Sequence, residues 1–126
     1  MISTLSLVAI GGAVGASLRY LAGGLMLRWF GPTEFPLGII TVNILGSFLM
    51  GFFIVTAAHK GLAHYNPLIA VGLLGGFTTF SSFSLETLNL FEKGAYALAL
   101  TYVGASVVLS LFAIACGLWA ARSFFA

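Results

Sequence analysis

Four long apolar runs, parted by three short polar breaks, constrain this chain more than any other feature it has. The breaks fall at Phe30-Gly31-Pro32-Thr33-Glu34, from His59-Lys60-Gly61 through Asn66-Pro67, and at Glu92-Lys93-Gly94. Between them the runs cover about residues 5–29, 37–58, 68–91 and 95–121. Each is long enough to cross a hydrocarbon core, which takes about 20 mostly apolar residues wound as a helix. In that medium water cannot satisfy the backbone, so an isolated run must be helical. The expected fold is therefore an all-α integral membrane protein with four transmembrane helices, multi-pass in an inner or plasma membrane, and residues 1–126 form one transmembrane domain. Composition agrees, since only 6% of the residues are charged, against about 25% in a soluble domain. Pro36 and Pro67 suit the first turns of the second and third helices, where a missing N–H costs least. Trp29 and Trp119 sit near helix ends, as interfacial anchors do.

Several function classes drop out. The cations Arg19, Arg28, Lys60, Lys93 and Arg122 are scattered singly and form no patch that could neutralise a nucleic-acid backbone. Cys116 lies in an apolar run and reads as packing, and no His, Cys and carboxylate cluster has zinc-ligand spacing. No nucleophile, base and third group fall at a recognisable spacing, so no enzyme is expected. The first run continues for a full span without an early Lys or Arg, unlike a secretory signal, and is expected to be retained.

The charge distribution bears on assembly. With four spans, Lys60 and Arg122 lie on the side of the termini and Arg28 and Lys93 on the other, so the positive-inside rule sets almost no orientation. Insertion in both senses follows naturally, and two copies so inserted would form an antiparallel homodimer with its axis in the membrane plane. A weakly biased but singly oriented protein is the alternative. Small residues four apart, at Gly11/Gly15, Ser47/Gly51, Gly72/Gly76 and Ala113/Gly117, read as close helix-packing faces.

Polar groups at membrane depth are costly and are candidates for function. Arg19 either snorkels to an interface or faces an aqueous vestibule, where it would raise the local anion concentration. Glu86 lies late in the third run, while His59 and His64 fall in the second break and read as surface groups. Most of the information sits in Gly75-Gly76-Phe77-Thr78-Thr79-Phe80-Ser81-Ser82-Phe83-Ser84. Two glycines and two β-branched threonines in mid-span predict a break in the third helix near Gly75–Thr79, buried in protein or facing a cavity. Carbonyls freed there suit a small hard cation, whereas freed N–H groups and hydroxyls suit an anion. Phe80 and Phe83 share one helix face, and Ser81 and Ser84 share a neighbouring one. Ring edges are electropositive and can stabilise an anion without a full charge that would trap it. Asn43 adds amide donors in the second run, flanked by Thr41 and Ser47, and Tyr102, Ser106 and Ser110 recur four apart down the fourth.

The segments 75–84, Thr-Val-Asn-Ile-Leu-Gly-Ser-Phe (41–48) and Gly-Gly-Ala-Val-Gly-Ala-Ser-Leu-Arg-Tyr (11–20) together closely resemble the Fluc/CrcB fluoride channels, over essentially the whole chain. That resemblance implies an antiparallel, dual-topology homodimer with two fluoride pores and a central structural Na⁺, passively exporting F⁻ that entered the cytoplasm as HF. It makes Phe80 and Phe83 ring-edge ligands, Asn43 a donor to the ion, and the carbonyls of Gly75 and Thr78 the Na⁺ ligands. Tyr102, Ser106 and Ser110 would form a polar track, joined on the expected pathway by Thr79, Ser81 and Ser84; Arg19 would face a vestibule and Glu86 would lie near a pore end. One departure stands out. The family often has Thr where Gly38-Ile39-Ile40-Thr41 carries Ile39, so a hydroxyl contact there is lost or replaced.

Two rival functions remain to be weighed. A proton-coupled multidrug or cation exporter of dual topology needs a carboxylate in its first span, and this one has Arg19 instead. A non-transporting assembly subunit would explain the small-residue faces but not Asn43, the Thr pair and the paired phenylalanines together.

Overall fold

The computed structural model describes residues 1–126 and is entirely helical. Helix α1 runs over Ile2–Phe30 and α2 over Leu37–Lys60. A 3-10 turn at Ala63–Tyr65 leads into a π-wound stretch, Pro67–Leu74, which closes into a single α turn, α3, at Gly75–Phe77. After an extended step the chain resumes as α4 over Phe80–Glu92, and α5 covers Tyr96–Phe124. The connections turn at Gly31, Gly61 and Gly94, the only residues with positive φ, as a side chain there would be strained. Four helical segments are long and apolar enough to cross a membrane.

The third span breaks at Thr78–Thr79, not at the glycines. Gly75 keeps helical angles of φ −63° and ψ −37°, whereas Thr78 (φ −86°, ψ 158°) and Thr79 (φ −152°, ψ 124°) are extended. β-Branched residues favour that region. The glycines serve approach instead: a Cβ on Gly76 would lie 2.8 Å from the Gly12 carbonyl of α1. Thr78 closes the first half, donating from both its N–H and its Oγ1 to the Leu74 carbonyl at 3.0 Å. Thr79 opens the second, its Oγ1 accepting the Ser82 N–H at 3.1 Å as an N-cap.

Two helix pairs organise the packing. Helix α2 lies along α5, and α1 lies along the π-wound stretch and α3. The small-residue faces meet as expected of them: α1 meets the third span at Gly11, Gly15, Gly72 and Gly76, and α2 meets α5 at Gly51 and Gly117. A modest apolar cluster of Ile40, Phe83, Leu90, Ala99 and Tyr102 joins α2, α4 and α5. Only 19 of 126 residues are buried, and large apolar side chains such as Leu5, Ile10, Leu111 and Phe112 point outward. Lipid or a second chain is the natural solvent for such a surface.

Candidate functional site

Backbone hydrogen bonding at the break explains how the site arises. In an unbroken helix the Thr79 N–H would donate to the Gly75 carbonyl and the Phe80 N–H to that of Gly76. Instead the Thr79 N–H donates to Asn43 Oδ1 at 2.8 Å, and Asn43 Nδ2 donates to the Thr79 carbonyl at 3.0 Å. The Gly76 carbonyl accepts Arg19 Nε at 3.1 Å. Side chains from α2 and α1 thus replace two rungs of the ladder in the middle of the fold. The carbonyls of Gly75 and Thr78 accept no backbone N–H and remain free to meet another donor or a cation.

Asn43 also lines an open groove of about 300 Å³ between α2, the break and α5. Thr78, Thr79, Phe80 and Phe83 form one wall; Ser106 and Ser110 stand on α5, and Gly46 and Ser47 on α2. One Asn43 amide hydrogen is committed to Thr79, which leaves the second for a guest. The phenylalanine rings lie 5.5 Å apart at 58° to one another. Phe83 is 9% exposed, whereas Phe80 is 77% exposed. Behind Phe83 the Tyr102 ring stands 5.2 Å away, and Phe35 meets Tyr102 edge-on at 5.5 Å.

Two hydroxyls here have no partner: Tyr102 Oη and Ser106 Oγ are buried and make no hydrogen bond. Such an atom costs about 1–3 kcal/mol until something satisfies it. A bare anion or a water in the groove would do so for Ser106, which lines it.

A second groove, of about 390 Å³, opens toward the first connection. Arg19 and Glu86 both line it, with Phe35 and Ile39. Arg19 therefore combines a bond to the break with a place in a polar cleft. Ile39, where the family often carries Thr, sits in this cleft and not in the groove beside Asn43.

The structure brings Asn43, Thr78, Thr79, Phe80, Phe83, Ser106 and Ser110 to one groove, with Tyr102 packed against Phe83. Ser81 and Ser84 lie outside its lining; Ser84 Oγ donates to the Phe80 carbonyl at 3.0 Å, and Ser81 Oγ lies 3.3 Å from Thr79 Oγ1. Gly75 is not part of the lining. The walls also include Gly46, Met50, Val107 and Ile114, none of which carries a polar signal. Helical spacing from Asn43 and Ser106 is the sign that could have found them. No group of three or more His, Cys, Asp or Glu gathers anywhere.

Comparison with known proteins fits this geometry. Residues 6–118 match the family described as CrcB-like protein, Camphor Resistance (CrcB). A protein of Ruegeria sp. (strain TM1040), named fluoride-specific ion channel FluC, is 59% identical over 122 residues, covering 97% of each chain. One of the same name from Cereibacter sphaeroides (strain ATCC 17029 / ATH 2.4.9) is 52% identical over 126 residues, the whole of both chains. A third, from Caulobacter vibrioides (strain NA1000 / CB15N), is 50% identical over 125 residues, 97% of this chain and 98% of that one. With four apolar spans, a third span interrupted at Thr78–Thr79 and near full-length likeness to these proteins, the chain belongs to the CrcB family.

Proposed function

We propose that this chain is a subunit of a fluoride-selective passive channel in a cell membrane, exporting F⁻ and so lowering its toxicity. The observation that carries the proposal is the groove at the break, where two aromatic rings, the Asn43 amide and the unpartnered Ser106 hydroxyl gather at membrane depth in a relative of proteins named as fluoride channels. A small, strongly hydrated anion needs dense donation to replace its water, and a narrow donor-lined path disfavours larger halides. Phe80 and Phe83 supply partial positive charge at their edges, Asn43 one N–H, and Ser106 and Ser110 hydroxyls farther along α5. Tyr102 holds Phe83 from behind, while Arg19 and Glu86 set the field at one mouth. No residue lining the groove carries a full charge, so an ion can enter and leave. An inside-negative potential drives each F⁻ outward by about 2.3 kcal/mol per 100 mV, so no energy source is needed.

Two parts of the proposal concern assembly. Two copies would pair antiparallel, which the balanced loop cations permit and the exposed Phe80 and open groove favour. The residues of the break also fit a Na⁺ ion: the Gly75 and Thr78 carbonyls are hard oxygen donors without a backbone partner. When bound, such an ion would supply positive charge to offset those carbonyl dipoles and tie two chains together at the break.

Passive efflux from liposomes tests the function, with the potential clamped by a K⁺ ionophore and F⁻ and Cl⁻ followed by ion-selective electrodes. Rapid F⁻ loss with little Cl⁻ loss is expected; verified dimers that release no F⁻ would overturn the proposal. Orientation has its own test. Adding two Lys to the connection after Phe30 should lock insertion in one sense, and the locked protein expressed alone should lose transport and recover it with a partner locked in the opposite sense. Full activity of either locked protein alone would sink the antiparallel pair.

A further inference from the structure

We infer that the Asn43 carboxamide is a positioning group that keeps the Gly75 carbonyl available to a cation, and that through it the cation site and the anion groove are coupled. The inference rests on the channel proposed above and goes beyond a donor role for Asn43 toward the ion. Its basis is the bond count at the break. The Thr79 N–H has two candidate acceptors: the Gly75 carbonyl four residues back, which an α-helix would use were Thr78 ψ turned from 158° into the helical range, and Asn43 Oδ1, which it does use at 2.8 Å. Asn43 Oδ1 therefore competes directly with the helix for that proton. Its Nδ2 meanwhile takes the Thr79 carbonyl at 3.0 Å, so both polar groups of one peptide-flanked residue are held by one side chain.

The orientation of the amide is dictated by the same two bonds, because an N–H can meet only the oxygen and a C=O only the nitrogen. Arg19 completes the sorting. By donating to the Gly76 carbonyl at 3.1 Å, it withdraws that oxygen from the freed set. The carbonyls of Gly75 and Thr78 then remain without backbone donors, on either side of the residues that Arg19 and the fold occupy. Without Asn43 the Thr79 N–H would be orphaned at membrane depth, and its nearest relief is to re-form the helical bond to Gly75. That step would consume a cation ligand and straighten the wall carrying Phe80 and Phe83. One amide hydrogen of Asn43 still faces the groove, so an anion there pulls on the same carboxamide that holds Thr79. Reciprocal coupling between the two ions follows.

The test separates the two arms of the amide by a readout other than transport. Purified dimer is freed of Na⁺ with N-methylglucamine as the replacement cation, and thermal unfolding is followed against Na⁺ concentration by the fluorescence of Trp29 and Trp119. Asn43→Ala removes the acceptor, and its Na⁺ midpoint should rise tenfold or more, on the order of a single lost ligand. Asn43→Asp keeps an acceptor at the same place and should hold the midpoint within about threefold of the natural protein, although its groove has lost the amide donor. An unchanged midpoint in Asn43→Ala overturns the inference, as does an equal shift in both variants. Should Asn43→Ala not survive purification, an ester in place of the Thr79 backbone amide decides. That chain has no N–H to capture the Gly75 carbonyl, so the midpoint should stay, and a tenfold loss overturns the inference. Unfolding of the natural protein that ignores Na⁺ while F⁻ efflux persists would remove the cation site and this inference with it, leaving the channel itself intact.

Discussion

Phe80→Ile is expected to slow fluoride efflux by at least about tenfold, the effect of removing little more than one ring-edge interaction from the barrier. The geometry makes this variant unusually clean. Phe80 is 77% exposed in its own chain, so isoleucine there removes the ring edge without opening a cavity in the subunit. Phe83→Ile should give a comparable loss of flux with an added cost. Its ring is 9% exposed and packs 5.2 Å from Tyr102, so a shape change there should also destabilise by about 1 kcal/mol. Liposome efflux read beside thermal unfolding checks both. Flux lost at unchanged stability in Phe80→Ile is the result that assigns the ring to the ion, and normal flux in both variants would remove the ring-edge proposal.

Much of the fold is legible in the sequence because lipid leaves a chain few options. Uninterrupted apolar runs must be helices, and Pro36, Pro67 and the connecting glycines mark where they start and turn. The small-residue pairs announce close faces, and the structure meets them with backbone-to-backbone approach at Gly15 and Gly117. The break was harder to place. Local propensity weights glycine most heavily, yet Gly75 and Gly76 stay helical while Thr78 and Thr79 extend, because the competition for the Thr79 N–H is settled by Asn43, 36 residues away. No window along the third span contains that information. The same blindness affects Arg19, for which snorkelling and a vestibule were equally open: its Nε reaches the Gly76 carbonyl, 57 residues on, and it lines the second groove. Ser81 and Ser84 mark a further limit of reading by spacing. Helical spacing rightly puts them on one face, but which neighbour that face meets depends on packing, and both lie off the groove. Fluoride itself is not written in spacing or charge. Donors and ring edges suit an anion, and the family likeness supplies which one.

The second large effect is expected far from any polar group, at Gly117. Helices α2 and α5 approach so closely that a Cβ at this position would overlap the Phe48 carbonyl oxygen and lie 2.9 Å from the Phe52 nitrogen. Both obstacles are backbone, so no rotamer relieves them, and Gly51 on the facing helix is equally hemmed in by Ile114 and Leu118. Gly117→Val must therefore separate the helices, at a cost of about 3 kcal/mol or more, which exceeds ordinary overpacking because main chain has to move. Little folded protein should survive detergent extraction, as size-exclusion chromatography would show. Gly104→Ala is the control. Nothing lies within 4 Å of a Cβ built there, and the variant should extract and unfold as the natural protein does. Gly117→Ala carries the functional consequence. Asn43 stands on α2, whereas Ser106 and Ser110 stand on α5, so a small separation of these helices widens the groove between its donors. Each donor set loses contact with a small anion before it loses contact with a larger one. In whatever protein folds, F⁻ efflux should therefore fall more than Cl⁻ leakage; wild-type unfolding in Gly117→Val, or undiminished selectivity in Gly117→Ala, would show that this contact does not set the width of the path.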